Sequence, residues 1–264
     1  MSDFLNTVDI IGDEALTDSI IDKSIVEYND NNVAYIGGRV FYNAASLSTV
    51  NCPNAISIGD AAFSSCTSLT TANFPAVTEM GSNAFYGCSS LTSVNFPAVT
   101  EMGASAFYGC RALTIVNFPA VTEMGANAFQ SCRALTIANF PAVTTVRDAA
   151  FSGCSSLTSV NFPAVKSIGS TAFRSCSSLT SVNLPAVTYL STSAFYACSM
   201  LTNVTLPSTS VASLKSVNVF QGTPMSNSTF TGSFGSIYVP ADLVETYKAA
   251  TYWSVYADRI TAIV

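Results

Sequence analysis

One register, repeated every 22 residues, constrains this chain more than anything else in it. Phe63, Phe85, Phe107, Phe129, Phe151, Phe173 and Phe195 keep that spacing without a slip, and so do the seven cysteines from Cys66 to Cys198. Eight prolines, from Pro53 to Pro207, hold the same period. The shared phrase is A-F-x-x-C-x-x-L-T-x-x-N-F-P-A-V-T-x-x-G. A unit this short cannot bury its own apolar side chains, so it must stack on copies of itself. The chain is therefore expected to be a solenoid of coils and not a globule.

Within a coil, "LTSVNFP" (91–97) alternates like a strand. Val94 and Phe96 face one way, Ser93 and Asn95 the other, and Pro97 ends the ladder because it lacks an N–H. Leu91, Val94, Phe96, Val99, Met102, Phe107 and Cys110 then fill the inside of the coil. Parallel strands ~4.8 Å apart in eight or nine coils predict a rod on the order of 40 Å long. The register extends to "VAYIGGRVF" (33–41) and "SLSTVNCP" (46–53), with Ile25 and Tyr28 in a degraded earlier coil. Both ends read as caps, which a solenoid needs. Residues 1–24 form an acidic N-terminal cap in which "GDEALTDSIIDKS" reads as a short amphipathic helix. Residues 25–224 are the solenoid. Residues 225–264 are a C-terminal cap: a polar loop, the strand "SIYVP" (236–240) and a helical segment. Trp253, Tyr247, Tyr252 and Tyr256 there are expected to close the core.

Composition excludes more than it assigns. Of the 264 residues 49% are hydrophobic and 10% charged, so a sizeable core is available and Ser, Thr and Asn must coat the outside. Sixteen acids against ten bases give a net charge of -6, with no basic cluster to meet phosphates, so nucleic acid is not an expected partner. The chain has no histidine, which removes the commonest general base and metal ligand. Ser is abundant but has no partner to activate it and no G-x-S-x-G elbow. The glycines fall once per coil and make no phosphate-binding fingerprint. No catalysis, cofactor or metal is expected. No apolar run is long enough to span a bilayer, so membrane insertion is not expected. The N-terminus lacks the basic start and cleavage site of a secretory signal.

The phrase I-G-x-x-A-F-x-x-C-x-x-L-x-x-V-x-F-P-x-V, across residues 25–220, resembles the BspA-type, or treponemal-type, leucine-rich repeat of bacterial surface proteins, with one residue dropped from the usual unit. The closing "IYVPADLVETYKAATYWSVYADRI" resembles the end of such proteins in gut bacteria and their phages. The resemblance implies a curved leucine-rich-repeat solenoid with a parallel β-sheet, β-rich and right-handed, used for adhesion or recognition. It implies no catalytic residues and no cofactor. An extracellular location, at a cell surface or on a virion, is the corresponding expectation.

Several rows invite chemistry. Seven stacked cysteines are expected as buried free thiols, since no C-x-x-C pairs occur; bridges between coils are the alternative. Glu79, Glu101 and Glu123 make a carboxylate row opposite the strand, which duplication of one coil explains without any metal. The Thr row from Thr70 to Thr202 and the Asn row from Asn51 to Asn183 face outward. They suit sugar hydroxyls, a protein, ice, or simply water. A variable row follows each Phe: Tyr86, Tyr108, Gln130, Ser152, Arg174 and Tyr196.

Two coils stand apart. Where neighbours read "CSSLTS" (88–93 and 154–159), these read "CRALTI", placing Arg111 with Ile115 and Arg133 with Ile137. With Asn117 and Asn139 they make an apolar spot with a basic edge, the composition that recognition surfaces favour. Copying of a neutral change is the competing explanation, since "FPAVTEMGA" (96–104) recurs at 118–126. These six residues are the candidate ligand site. The expected function is non-enzymatic recognition of a cell-surface glycan or protein, as an adhesin or as a phage or prophage receptor-binding component. The alternative is a purely structural virion or surface element without an external ligand.

Overall fold

The computed structural model describes residues 10–11, 24–226 and 234–264. They form a solenoid in which every coil lies on the one before it. Each coil contributes a three-residue strand, such as Thr71–Asn73, and a two-residue strand, such as Glu79–Met80. All strand pairs are parallel and in register at the repeat, Thr71 opposite Ser93 and Glu79 opposite Glu101. The sequence reading foresaw one strand per coil. The second exists because Met80 turns inward and Glu79 outward, an alternation too short to stand out in the sequence.

Among the described residues eleven of the longer strands stack from Glu27–Asn29 to Ile260–Ala262, hydrogen-bonded in sheets of four, three and four, more than the eight or nine coils expected. The surplus comes from the degraded first coil and from the C-terminus. Tyr28, buried, takes the inward place in Glu27–Asn29. Ser236–Val239 stacks on Asn203–Thr205, and Ile260–Ala262 stacks on it in turn.

Between the short strand and the cysteine corner the chain makes an arc whose N–H groups donate forward to the next coil: Phe63 N to Ala84 O and Ser65 N to Tyr86 O, 2.8 and 2.7 Å. The arc needs two left-handed residues per coil, for instance Asn83 at φ 56° and Gly87 at φ 70°. Before it lies a point of close approach. A Cβ on Gly103 would sit 2.4 Å from the backbone of Gly81, so the chain must be bare there.

The core consists of columns. Phe41, Phe63, Phe85, Phe107, Phe129, Phe151, Phe173, Phe195 and Phe220 stack face to face with centroids 5.0 to 5.6 Å apart. A second column, Phe74 to Phe162, meets the first at tilted or edge angles. Cys52 stands where this column would begin, and Leu184 and Leu206 continue it.

At the C-terminus Val244–Ala249 is a single short helix flanked by 3-10 turns, Ala241–Leu243 and Ser254–Arg259. Trp253 and Tyr256 pack on Phe220 and close the first column. Their polar ends are satisfied: Trp253 Nε1 donates to Ala212 O at 2.6 Å, Tyr256 Oη donates to Val217 O, and Tyr247 Oη accepts from Ala212 N at 3.1 Å. Tyr252 does not join them; it occupies a left-handed turn and is exposed. The amphipathic helix expected over 12–24 lies outside the described residues, apart from Ser24 in a turn.

Candidate recognition surface

Each coil turns a corner after its cysteine. Cys110 points inward, the next two residues sit on the corner, and Leu113 returns to the core with its N–H on Cys110 O at 3.3 Å. That places Arg111 and Arg133 in solvent, with the corners stacked by Ala134 N donating to Arg111 O. The strands Ile115–Asn117 and Ile137–Asn139 follow. Val116 and Ala138 face the core, so Ile115 and Ile137 must face out. They lie opposite one another, 54% and 40% exposed. Asn117 and Asn139 are joined by Asn139 Nδ2 donating to Asn117 Oδ1 at 2.6 Å. The fold thus brings the six predicted residues onto two adjacent coils of one face.

The Asn row is an amide ladder. Asn73 donates to Asn51, Asn95 to Asn73, Asn139 to Asn117 and Asn161 to Asn139, at 2.6 to 2.7 Å. The Thr hydroxyls bond to the coil beneath, as when Thr136 Oγ1 donates to Thr114 O at 2.9 Å and Thr158 Oγ1 to Thr136 O at 3.1 Å. Each such hydroxyl spends its single donor on the solenoid and keeps only lone pairs for a ligand, whereas each Asn amide keeps a second N–H.

Both ladders break in two places. Among the described residues no strand pairing joins Ser93–Asn95 to Ile115–Asn117, or Ser159–Asn161 to Ser181–Asn183. The amide and hydroxyl bonds stop at the same points. At each break Val faces Val at the inward middle position, Val94 with Val116 and Val160 with Val182, beside at least one Phe of the second column. Where Val alternates with Ala the ladder holds, as in Val50 with Ala72 and Val116 with Ala138. Val182 and Val204 do pair, and there Leu184 and Leu206 replace the bulkier rings. Crowding of branched side chains against rings pushes the coils apart. The gap shows in the rings: Phe96 and Phe118 are 6.1 Å apart, against 5.5 and 5.4 Å for the pairs on either side.

The first break borders the candidate site. Asn117 accepts from Asn139, but among the described residues no acceptor takes its own Nδ2. No feature of the sequence reading signalled this open amide; the Val–Val step would have pointed to it.

The remaining rows are elsewhere. Glu79, Glu101 and Glu123 lie in register on the two-residue strands, exposed, so the carboxylate row sits on a second ladder and not on a bare edge. Among the described residues no three His, Cys, Asp or Glu side chains gather as metal ligands. The row after each Phe crosses the arc, where Tyr86 and Tyr108 stack at 4.8 Å and Arg174 lies over Tyr196. All eight cysteines are buried and free. From Cys66 onward each Sγ donates to a Phe carbonyl of the preceding coil, for example Cys132 to Phe107 O at 3.1 Å. Burial pushes the Cys132 thiol up to about 12 and raises Cys110 and Cys154 as well. These thiols are core side chains, not reagents. Among the described residues no helix is long and apolar enough to cross a membrane.

What the exposed ladder face offers is two isoleucines, two guanidinium groups and an open amide, groups suited to contact with a partner. Comparison with known proteins agrees on the scaffold. The structure is similar to the T. pallidum leucine rich repeat protein TpLRR, at 28% identity and a TM-score of 0.56 over 59% of this chain and 78% of that one. It also resembles a leucine-rich repeat protein from Bacteroides ovatus, at 22% identity and a TM-score of 0.49 over 91% and 84% of the two chains. No curated protein sequence matches. The BspA type leucine rich repeat region matches residues 9–136 and 122–241 in six copies, and with coil, columns and register as described, the chain belongs to that family.

Proposed function

We propose that this protein is a non-catalytic recognition element that binds a protein or glycan on a cell surface, acting from a bacterial surface or a phage particle. The binding face is the outward side of Ile115–Asn117 and Ile137–Asn139 with Arg111 and Arg133 at its edge. One observation carries the reading: two large apolar side chains stand exposed and in register, beside two cations and an amide donor left open by a break in the ladder. Exposed apolar area rimmed by Arg is what interfaces concentrate. Elsewhere the outward position holds Ser, Thr, Glu, Asn or Tyr, as in Ser93, Ser159 and Ser181.

The test is binding of the labelled full chain to intact bacterial cells, mucins and matrix proteins. A variant with Arg111, Ile115, Arg133 and Ile137 all changed to Ser runs beside it. Binding by the native chain and loss in the variant is expected. Equal binding by both would move the site to another face. Binding by neither would favour a purely structural element.

A further inference from the structure

The arc face carries a different feature, independent of the ladder site. The row after each Phe runs Tyr42, Ser64, Tyr86, Tyr108, held in line by Asn43 N on Ser64 O, Ser65 N on Tyr86 O and Gly87 N on Tyr108 O. Tyr86 and Tyr108 stack with centroids 4.8 Å apart and planes within 6°. One face of Tyr86 is therefore covered by Tyr108, and the other is turned toward the coil of Ser64. Ser64, only 5% exposed on the floor between the rings, is too short to supply the next one. Tyr42 stands one coil further on, so the two rings are separated by two coil spacings, roughly 10 Å. The missing rung is an open notch of about 280 Å³ lined by Arg39, Tyr42, Ala61, Ser64, Asn83 and Tyr86.

The lining groups are chemically specific. Tyr42 and Tyr86 are 38% and 39% exposed, a large aromatic area to leave in water. The Arg39 guanidinium lies 4.8 Å from the centre of the Tyr42 ring and has no ion pair among the described residues. Asp60, beside Ala61, turns Oδ1 to the N–H of Ser82 at 2.6 Å. Asn83 adds an amide whose side chain has no protein partner among the described residues. An aromatic face, a guanidinium stacked on Tyr42 but without an ion pair among the described residues, and an amide meet in one notch.

We propose that this notch holds a single pyranose ring bearing a carboxylate, a hexuronoside. A ring at the level of Ser64 sits about 5 Å from the Tyr86 plane, inside the range at which rings stack. The C–H face of a pyranose carries the positive edge that the negative face of a phenol attracts. The carboxylate then meets Arg39, whose planar fork accepts it in a bidentate fashion, and Asn83 reaches a ring hydroxyl. A neutral sugar leaves Arg39 without its partner, and a flat anion without C–H faces forgoes the stack.

The experiment titrates the full chain with methyl galacturonoside and, separately, methyl galactoside, read by ligand-detected NMR and by the ring signals of Tyr42 and Tyr86. The uronoside is expected to bind on the order of tenfold more tightly than the galactoside, as one charge-assisted contact allows. Ser64→Tyr puts a ring where the ligand would lie and should abolish binding. Because Ser64 is buried, the variant's thermal midpoint is measured beside it, and Arg39→Gln, at an exposed residue, carries the test if that midpoint falls. Arg39→Gln should erase the preference for the uronoside. The proposal is overturned if neither sugar perturbs Tyr86, if Ser64→Tyr binds as the native chain does, or if the two sugars bind equally.

Discussion

Asn139 donates to Asn117 at 2.6 Å, and Asn117 has no such acceptor in Asn95, because the coils part between them. The separation traces to Val94 and Val116 meeting in the core. Val116→Ala should let the strands Ser93–Asn95 and Ile115–Asn117 pair. In the closed coils Phe74 N donates to Asn95 O at 3.1 Å and Phe118 N to Asn139 O at 3.0 Å. The amide of Phe96 should gain the same bond and exchange several-fold more slowly. Unchanged exchange at Phe96 would mean that valine crowding is not what opens the ladder.

Ile115 and Ile137 contribute little to holding the coil together, being half exposed on a sheet face. Ile115→Ser and Ile137→Ser should each shift stability by less than about 1 kcal/mol, the span of outward strand preferences. Their effect belongs to binding. A chemical denaturation midpoint that fell steeply for either would show that the pair is structural.

Phe129 is the opposite case. It stacks on Phe107 and Phe151 at 5.2 and 5.3 Å and meets Phe140 edge-on at 5.6 Å. Phe129→Ala should cost about 3–5 kcal/mol, since stacked coils on both sides cannot collapse into the space. Urea denaturation of the variant measures this; a loss below about 1 kcal/mol would contradict the column packing.

The thiols make a prediction about reagents and another about pH. At about pH 8 none of the eight cysteines should react with a thiol reagent in the folded chain, and all should react in denaturant. Rapid labelling of even one in the folded state would place it outside the core. Burial raises Cys132 from 9.0 to about 12, and Cys52 likewise. The folded state therefore holds protons that the unfolded state releases above about pH 9. Stability is complete below that and falls as pH climbs toward about 12, by up to ~1.4 kcal/mol per pH unit for each such thiol. A denaturation midpoint level from about pH 8 to 11 would refute it.

The period of Phe, Cys and Pro was enough to determine the solenoid, its parallel register and the inward set, because a coil that cannot bury itself has only its copies to pack on. Ile115, Asn117, Ile137 and Asn139 were recognisable as outward because strand alternation assigns faces locally, whereas Arg111 and Arg133 stand on the corner after the cysteine, beyond the strand. The short ladder of Glu79–Met80 and its counterparts was not legible, since two residues carry no periodicity. Nor were the breaks beside Val116, which depend on how Val packs against a Phe column brought next to it by folding. The notch at Ser64 is likewise tertiary. Tyr42 and Tyr86 are 44 positions apart, and only the stacking of coils sets their rings on either side of a missing one. Side-chain faces follow from local backbone geometry, whereas spacing between coils is settled by the volumes of residues distant in sequence.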